Sequence, residues 1–200
     1  KENGFHGARF DYYHRANSYL NRVLDDRTGL PITLSVLYIE LGRRVGLNIE
    51  GVGLPGHFIV RVVGEGEEPQ YVDVFNEARH VGPEGLSKLV RQYAGRALRD
   101  ADLRPSTPKS IVLRMLANLR GLAERSQDNE ATLRYLEAIV AIEPEAIAER
   151  GARSIIRFNT GRRDAAVADL DWFLEHRPNG LDLDRIREMR DLFSRQPAPR

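Results

Sequence analysis

Tyr135-Leu-Glu-Ala-Ile-Val-Ala-Ile-Glu-Pro144 and Asp169-Leu-Asp-Trp-Phe-Leu-Glu-His-Arg-Pro178 align without a gap, and their prolines stand 34 residues apart. Each copy carries an apolar stripe at the i, i+3, i+4 spacing of one helix face: Leu136, Ile139 and Val140 in the first, Leu170, Phe173 and Leu174 in the second. A period of 34 with such a face predicts a repeated helix pair, the quoted segments being the second helix of each pair. Their first helices are legible too. Thr107-Pro108 is a cap followed by proline at the first helical position, opening a helix to about Arg125, and Gly161 closes a helix begun near Glu145. A last amphipathic segment, from about Asp184 to Ser194, caps the stack.

One helix pair cannot bury its own face, and about three are needed for independent stability. Two pairs and a cap are therefore expected to dock on what precedes them. There the pattern changes. A short helix is predicted from Asn17 to about Asp25 and a longer one from Pro31 to Val45, stopping before Gly46. The longer one is apolar nearly all round (Ile32, Leu34, Val36, Leu37, Tyr38, Ile39, Leu41, Val45), the pattern of a buried central helix. His57 to Val63 and Gln70 to Phe75 are β-branched and aromatic runs flanking Gly64-Glu-Gly-Glu-Glu-Pro69, which predicts a β-hairpin. Pro83 to Ala94 reads as a helix closed by Gly95, and Arg96 to Thr107 as a linker. The expected organisation is an α+β domain over residues 1–104 and an all-α repeat unit over 105–200.

Composition excludes several functions. The chain has no cysteine, so thiol nucleophiles, disulfide frameworks, cysteine zinc sites and iron–sulfur clusters are out. Basic and acidic residues number 30 and 29, and a division after residue 104 leaves 14 of each in the first part, so no field draws the chain to nucleic acid or an anionic membrane. The longest apolar run, Ile32 to Ile39, is interrupted by Thr33 and Ser35 and falls far short of the roughly 20 residues of a membrane span. Lys1 is not an initiator methionine, which leaves the lack of a signal peptide with little weight; cytoplasmic is the default expectation.

Gly51-Val-Gly53-Leu-Pro-Gly56 matches a dinucleotide-binding fingerprint, but the following residues read as strand and not as the helix that would receive a pyrophosphate. The glycines are expected to permit a sharp turn into the hairpin. His6, His14, His57, His80 and His176 show no metal-ligand spacing, and no metal or other cofactor is implied. The constellation worth following is the N-terminus of the central helix with His57 and Asp73. A helix N-terminus stabilises a developing anion, and a histidine beside it moves protons when a carboxylate fixes its tautomer. His57 and Asp73 share a sheet face only if the residue numbers of opposed pairs add to an even value, which the sequence leaves open.

The repeats resemble the tetratricopeptide consensus in degenerate form: its small-residue sites fall on Arg120 and Ser154, Thr132 and Ala166, and Ile139 and Phe173. Asn17-Ser-Tyr-Leu-Asn21, Arg27-Thr-Gly-Leu-Pro-Ile-Thr-Leu-Ser35, Gly51 to Arg61 and Asp73-Val-Phe75 resemble the bacterial SirB-type transglutaminase-like family. That resemblance covers nearly the whole chain. It implies a papain-like or transglutaminase-like α+β core, a central helix against an antiparallel sheet, followed by tetratricopeptide-like repeats, with His57 and Asp73 at the family's His and Asp positions. It also implies a departure, because counting from Gly29 and Gly46 places the superfamily's catalytic cysteine at Pro31. Proline has no nucleophile and no backbone N–H for an oxyanion. The segment after Asp73 also lacks the Gly-Gly expected in many relatives.

Thr33 and Ser35 are the hydroxyls within a turn of Pro31, although helical Ser and Thr commonly bond the preceding turn. Arg61 shares a strand face with His57, and Asn17 and Asn21 are expected near the pocket. The function expected is a non-catalytic transglutaminase-like domain joined to repeats that bind a protein or peptide. The alternative is a Ser- or Thr-dependent acyl hydrolase or acyltransferase built on Ser35 or Thr33, His57 and Asp73. Between them stands a domain that binds an acyl or peptide ligand around His57 without turning it over.

Overall fold

The structure is a computed structural model and describes residues 4–66 and 68–195. The chain divides into two compact units after Met115. In the first, β1 (His6–Gly7) pairs in parallel with β2 (Thr28–Gly29), and α1 (Leu20–Asp26) lies between them in sequence. α2 (Pro31–Arg44) follows, and then a four-stranded antiparallel sheet in the order β3 (Ile49–Val52), β4 (Ile59–Val62), β5 (Gln70–Asp73) and β6 (Arg79–His80). α3 (Pro83–Ala94) ends at Gly95, whose φ of 64° is the left-handed conformation that lets a helix stop there. It closes a core of Val52, Leu54, Ile59, Val81, Leu86, Leu89 and Val90.

Pro31 starts α2 at the one helical position where a missing N–H costs nothing, and Thr33 Oγ1 accepts the Leu30 N–H at 2.9 Å. Residues Pro31 to Ser35 are buried, as the apolar pattern predicts, and Gly42 lets Ile49 of the sheet close on the helix. The last turns differ from that pattern: the sheet covers one side only, and Leu41 and Val45 reach solvent. The sheet also gains a strand where the sequence reads as a loop. Ile49–Val52 pairs with β4, and Gly51 is tolerated within it because the Phe58 ring occupies the space its Cβ would fill. Strand, turn and strand follow one another here, with no helix N-terminus after the glycines.

α4 (Pro108–Arg125) begins as expected, with Thr107 Oγ1 accepting the Ser110 N–H at 3.1 Å. The sequence sets its boundary before this helix, whereas the compact units divide inside it, because Ile111 and Met115 of its first turns pack against the cluster of Leu30, Ile32 and Phe58. In the second unit α5 (Asn129–Ile142), α6 (Ile147–Asn159), α7 (Arg163–His176) and α8 (Leu183–Arg195) pack each on the next. Phe158, Ala166, Leu170, Phe173 and Phe193 form their core, and the Phe158 and Phe193 rings stack at 3.9 Å. Five charged groups meet beside it. The buried Asp169 carboxylate accepts from Arg153, from Arg157 at 3.0 Å and from Arg150 at 3.4 Å, and Arg157 also binds Glu137.

Candidate functional site

Val60 of β4 opposes Val72 of β5, so opposed pairs add to an even number and Asp73 shares a face with Ile59 and, two residues before it, His57. The two side chains meet. His57 Nε2 lies 3.1 Å from Asp73 Oδ1, with His57 3% exposed and Asp73 0%. A carboxylate only accepts, so Nε2 carries a proton. Nδ1 has no hydrogen-bond partner among the described residues.

Asp73 is held from its other side by Asn76, whose backbone N–H donates to Oδ1 at 3.2 Å and whose side-chain Nδ2 donates to Oδ2 at 2.7 Å. Arg79 adds a longer ion pair at 3.5 Å from an exposed position. Burial pushes the Asp73 carboxyl up, but the hydrogen bonds from His57 and the Asn76 side chain, the charge of His57 and the Asn76 N–H together outweigh it and hold the group below its ordinary range. Asn76 also begins the tight turn from β5 to β6, in which Glu77 and Ala78 both adopt left-handed backbone with φ of 63° and 53°. Arg79 N–H closes that turn on the Asn76 carbonyl at 3.3 Å.

Aromatic rings enclose the imidazole. Tyr93 lies parallel to it at 5.9 Å, Phe75 stands edge-on at 6.0 Å, and Tyr12 continues from Phe75 at 6.1 Å. Arg114 fixes the loop before β4 by donating to the Leu54 carbonyl at 2.9 Å and the His57 carbonyl at 2.7 Å, with its guanidinium over Phe58. Burial pushes the Arg114 pKa down and that of Tyr12 up, the residual attraction between the two opposing both shifts.

Pro31 begins α2. Thr33 Oγ1 shares its one proton between the Asn17 carbonyl at 2.8 Å and the Leu30 carbonyl at 3.1 Å while accepting the Leu30 N–H, so its proton is committed to the helix start. Ser35 is fully buried and its Oγ has no hydrogen-bond partner among the described residues. Asn17, read as a helix cap, lies in a 3-10 turn instead, because its Nδ2 is drawn to the Asp11 and Tyr12 carbonyls, and α1 starts at Leu20. Asn21 is exposed on α1, and Arg61 is tied to Glu50 across β3 and β4. Sequence reasoning missed Asn76, Arg114, Tyr12 and Tyr93. Asn76 had a local signal, an Asp-x-x-Asn spacing that suits a side-chain-capped turn; Arg114 lies 57 residues from His57 and had none.

Among the described residues, no three His, Asp or Glu side chains converge as a metal site requires, and no helix is long and apolar enough to cross a membrane. Residues 1–117 match the family described as the transglutaminase-like superfamily, and residues 119–191 match the tetratricopeptide repeat. A UPF0162 protein of Xylella fastidiosa is 34% identical over 92% of this chain, and one of Vibrio cholerae is 29% identical over 90%; the chain spans 67% of each. F-box only protein 21 of Homo sapiens is 29% identical over 72% of this chain, which covers 24% of that protein. No solved structure matches. With both families matched in this order, the chain belongs to the transglutaminase-like superfamily, its transglutaminase-like domain followed by tetratricopeptide repeats as one of the SirB-type UPF0162 proteins.

Proposed function

We propose that the chain is a cytoplasmic interaction module: a transglutaminase-like domain that no longer catalyses acyl transfer, joined to repeats that hold a protein or peptide. The observation that carries this reading is Pro31. It stands at the head of α2, where the superfamily resemblance places the thiol, and it supplies neither a nucleophile nor an N–H for an oxyanion. Thr33 is consumed by its own helix start, and His57 and Asp73 are buried, so the pair acts as a hydrogen-bonded prop for the hairpin. The repeats supply the surface, since stacked helix pairs leave a groove that takes helical or extended peptide. The test pairs labelling with capture. A serine-directed fluorophosphonate should not label the chain. Cross-links to a captured partner should map within residues 116–195 and persist in His57→Ala. Labelling that disappears in Ser35→Ala would overturn the proposal.

One observation favours a second reading, in which Ser35 is an acyl-transfer nucleophile. Its buried hydroxyl is not satisfied by the preceding turn, unlike most helical serines, and a histidine oriented by Asp73 is the kind of base such a hydroxyl needs, although the two side chains do not hydrogen-bond in this structure. The same labelling experiment separates the two.

A further inference from the structure

α2 carries more apolar surface than its own unit covers. It borders a cavity of about 330 Å3 walled by Phe5, Leu24, Leu34, Leu37, Tyr38 and Val74. Leu41, 62% exposed, belongs to its wall, and Val45, 74% exposed, follows one turn on at the end of the helix. Positions 34, 37, 38, 41 and 45 recur at the spacing of one helix face, so hollow and projection belong to one continuous surface. Contiguous exposed apolar surface of this kind marks an association site.

The charges select what covers it. Glu40 and Arg44 stand at the rim of the cavity, one turn apart on the same edge of the stripe. Arg44 has no partner among the described residues, and Glu40 has only the exposed Arg43 at 2.7 Å. When two identical helices pack antiparallel, like edges meet. A base and an acid four residues apart on one edge are then complementary to themselves, the condition an isologous two-fold contact requires. About an axis beside Leu41 the two Leu41 side chains meet, and each Leu37 faces Val45 of the other copy. Each Glu40 then lies about 3 Å along the axis from the position opposite Arg44 of the other copy, within reach of both side chains.

We infer that this face of α2 is a two-fold interface with a second copy of the chain, in which Leu41 and Val45 of each copy fill the other's cavity and two Glu40–Arg44 ion pairs close the rim. The inference is independent of the proposed function. Sedimentation equilibrium of the full chain at micromolar concentrations should show a reversible dimer. Leu41→Glu, at an exposed site, should keep the circular dichroism spectrum and weaken association by about a hundredfold or more, and Arg44→Glu by about tenfold. The double reversal Glu40→Arg with Arg44→Glu should recover most of that tenfold. Because the chain has no cysteine, Leu41→Cys should form a symmetric disulfide dimer under mild oxidation. A chain monomeric at every concentration, as expected if the groove takes a helix of another protein, would overturn the inference. So would a dimer indifferent to Leu41→Glu, or a double reversal that recovers nothing.

Discussion

Among the described residues each unit buries one aspartate, and the two are neutralised in opposite ways. Asp73 of the first unit is answered by an imidazole and an amide, groups that are neutral or able to change charge, with one exposed guanidinium at 3.5 Å. Asp169 of the second, 2% exposed, is answered by three guanidiniums that never change charge. The difference teaches what each carboxylate can do. A permanently charged cluster fixes helices α6 and α7 against each other and has no proton to move. The Asp73 pair keeps a movable proton, and with it a response to pH.

The contrast is broken most severely at Asp169. Asp169→Ala leaves one buried and two half-buried guanidiniums converging without their shared counter-charge, and a loss of about 3–5 kcal/mol is expected in urea denaturation. A loss below about 1 kcal/mol would mean that water already screens the cluster. Asp73→Asn comes next, at about 2 kcal/mol at neutral pH, since charge-assisted bonds to His57 and Asn76 become neutral ones. Its pH dependence sharpens the comparison. The folded Asp73 pKa lies below the unfolded value of about 4, so its stabilisation is complete above that value and is lost as pH falls through the folded pKa. The stability gap between wild type and Asp73→Asn should therefore close on acidification, and a constant gap would show that the His57 contact is not charge-assisted. Asn76→Ala should cost about 1–2 kcal/mol for two lost donors to a buried carboxylate. Smallest is Arg79→Ala, within about 0.5 kcal/mol, because a long ion pair from an exposed side chain is screened.

The two regions were also unequally legible. The repeat unit announces itself through a period and through punctuation: Thr107-Pro108 and Gly161 mark helix ends that the structure reproduces within a residue or two, because caps and left-handed glycines act locally. α3 is read to the residue for the same reason. In the first unit, the sequence carries the hairpin and the parity condition but not the register, which only the pairing of Val60 with Val72 in the folded sheet reveals. β3 itself is hidden, since a four-residue strand with glycine in its interior lacks the β-branched run that marks its neighbours. The helix α2 shows the reverse error. Its apolar pattern is a true record of how much surface is to be covered, and the sequence does not say by what.

The turn that follows Asp73 has a mechanical meaning. Glu77 and Ala78 both sit in left-handed backbone, which costs an L-residue with a Cβ roughly 1 kcal/mol or more, and such turns ordinarily use Asn-Gly. What latches this one shut is Asn76, gripped at both its backbone and its side chain by the same carboxylate that orients His57. Carboxylate and turn thus work as a catch on a loaded spring: a change at His57 is felt in the β5–β6 hairpin, and Ala78→Gly, which unloads the spring, should make the hairpin less dependent on the catch.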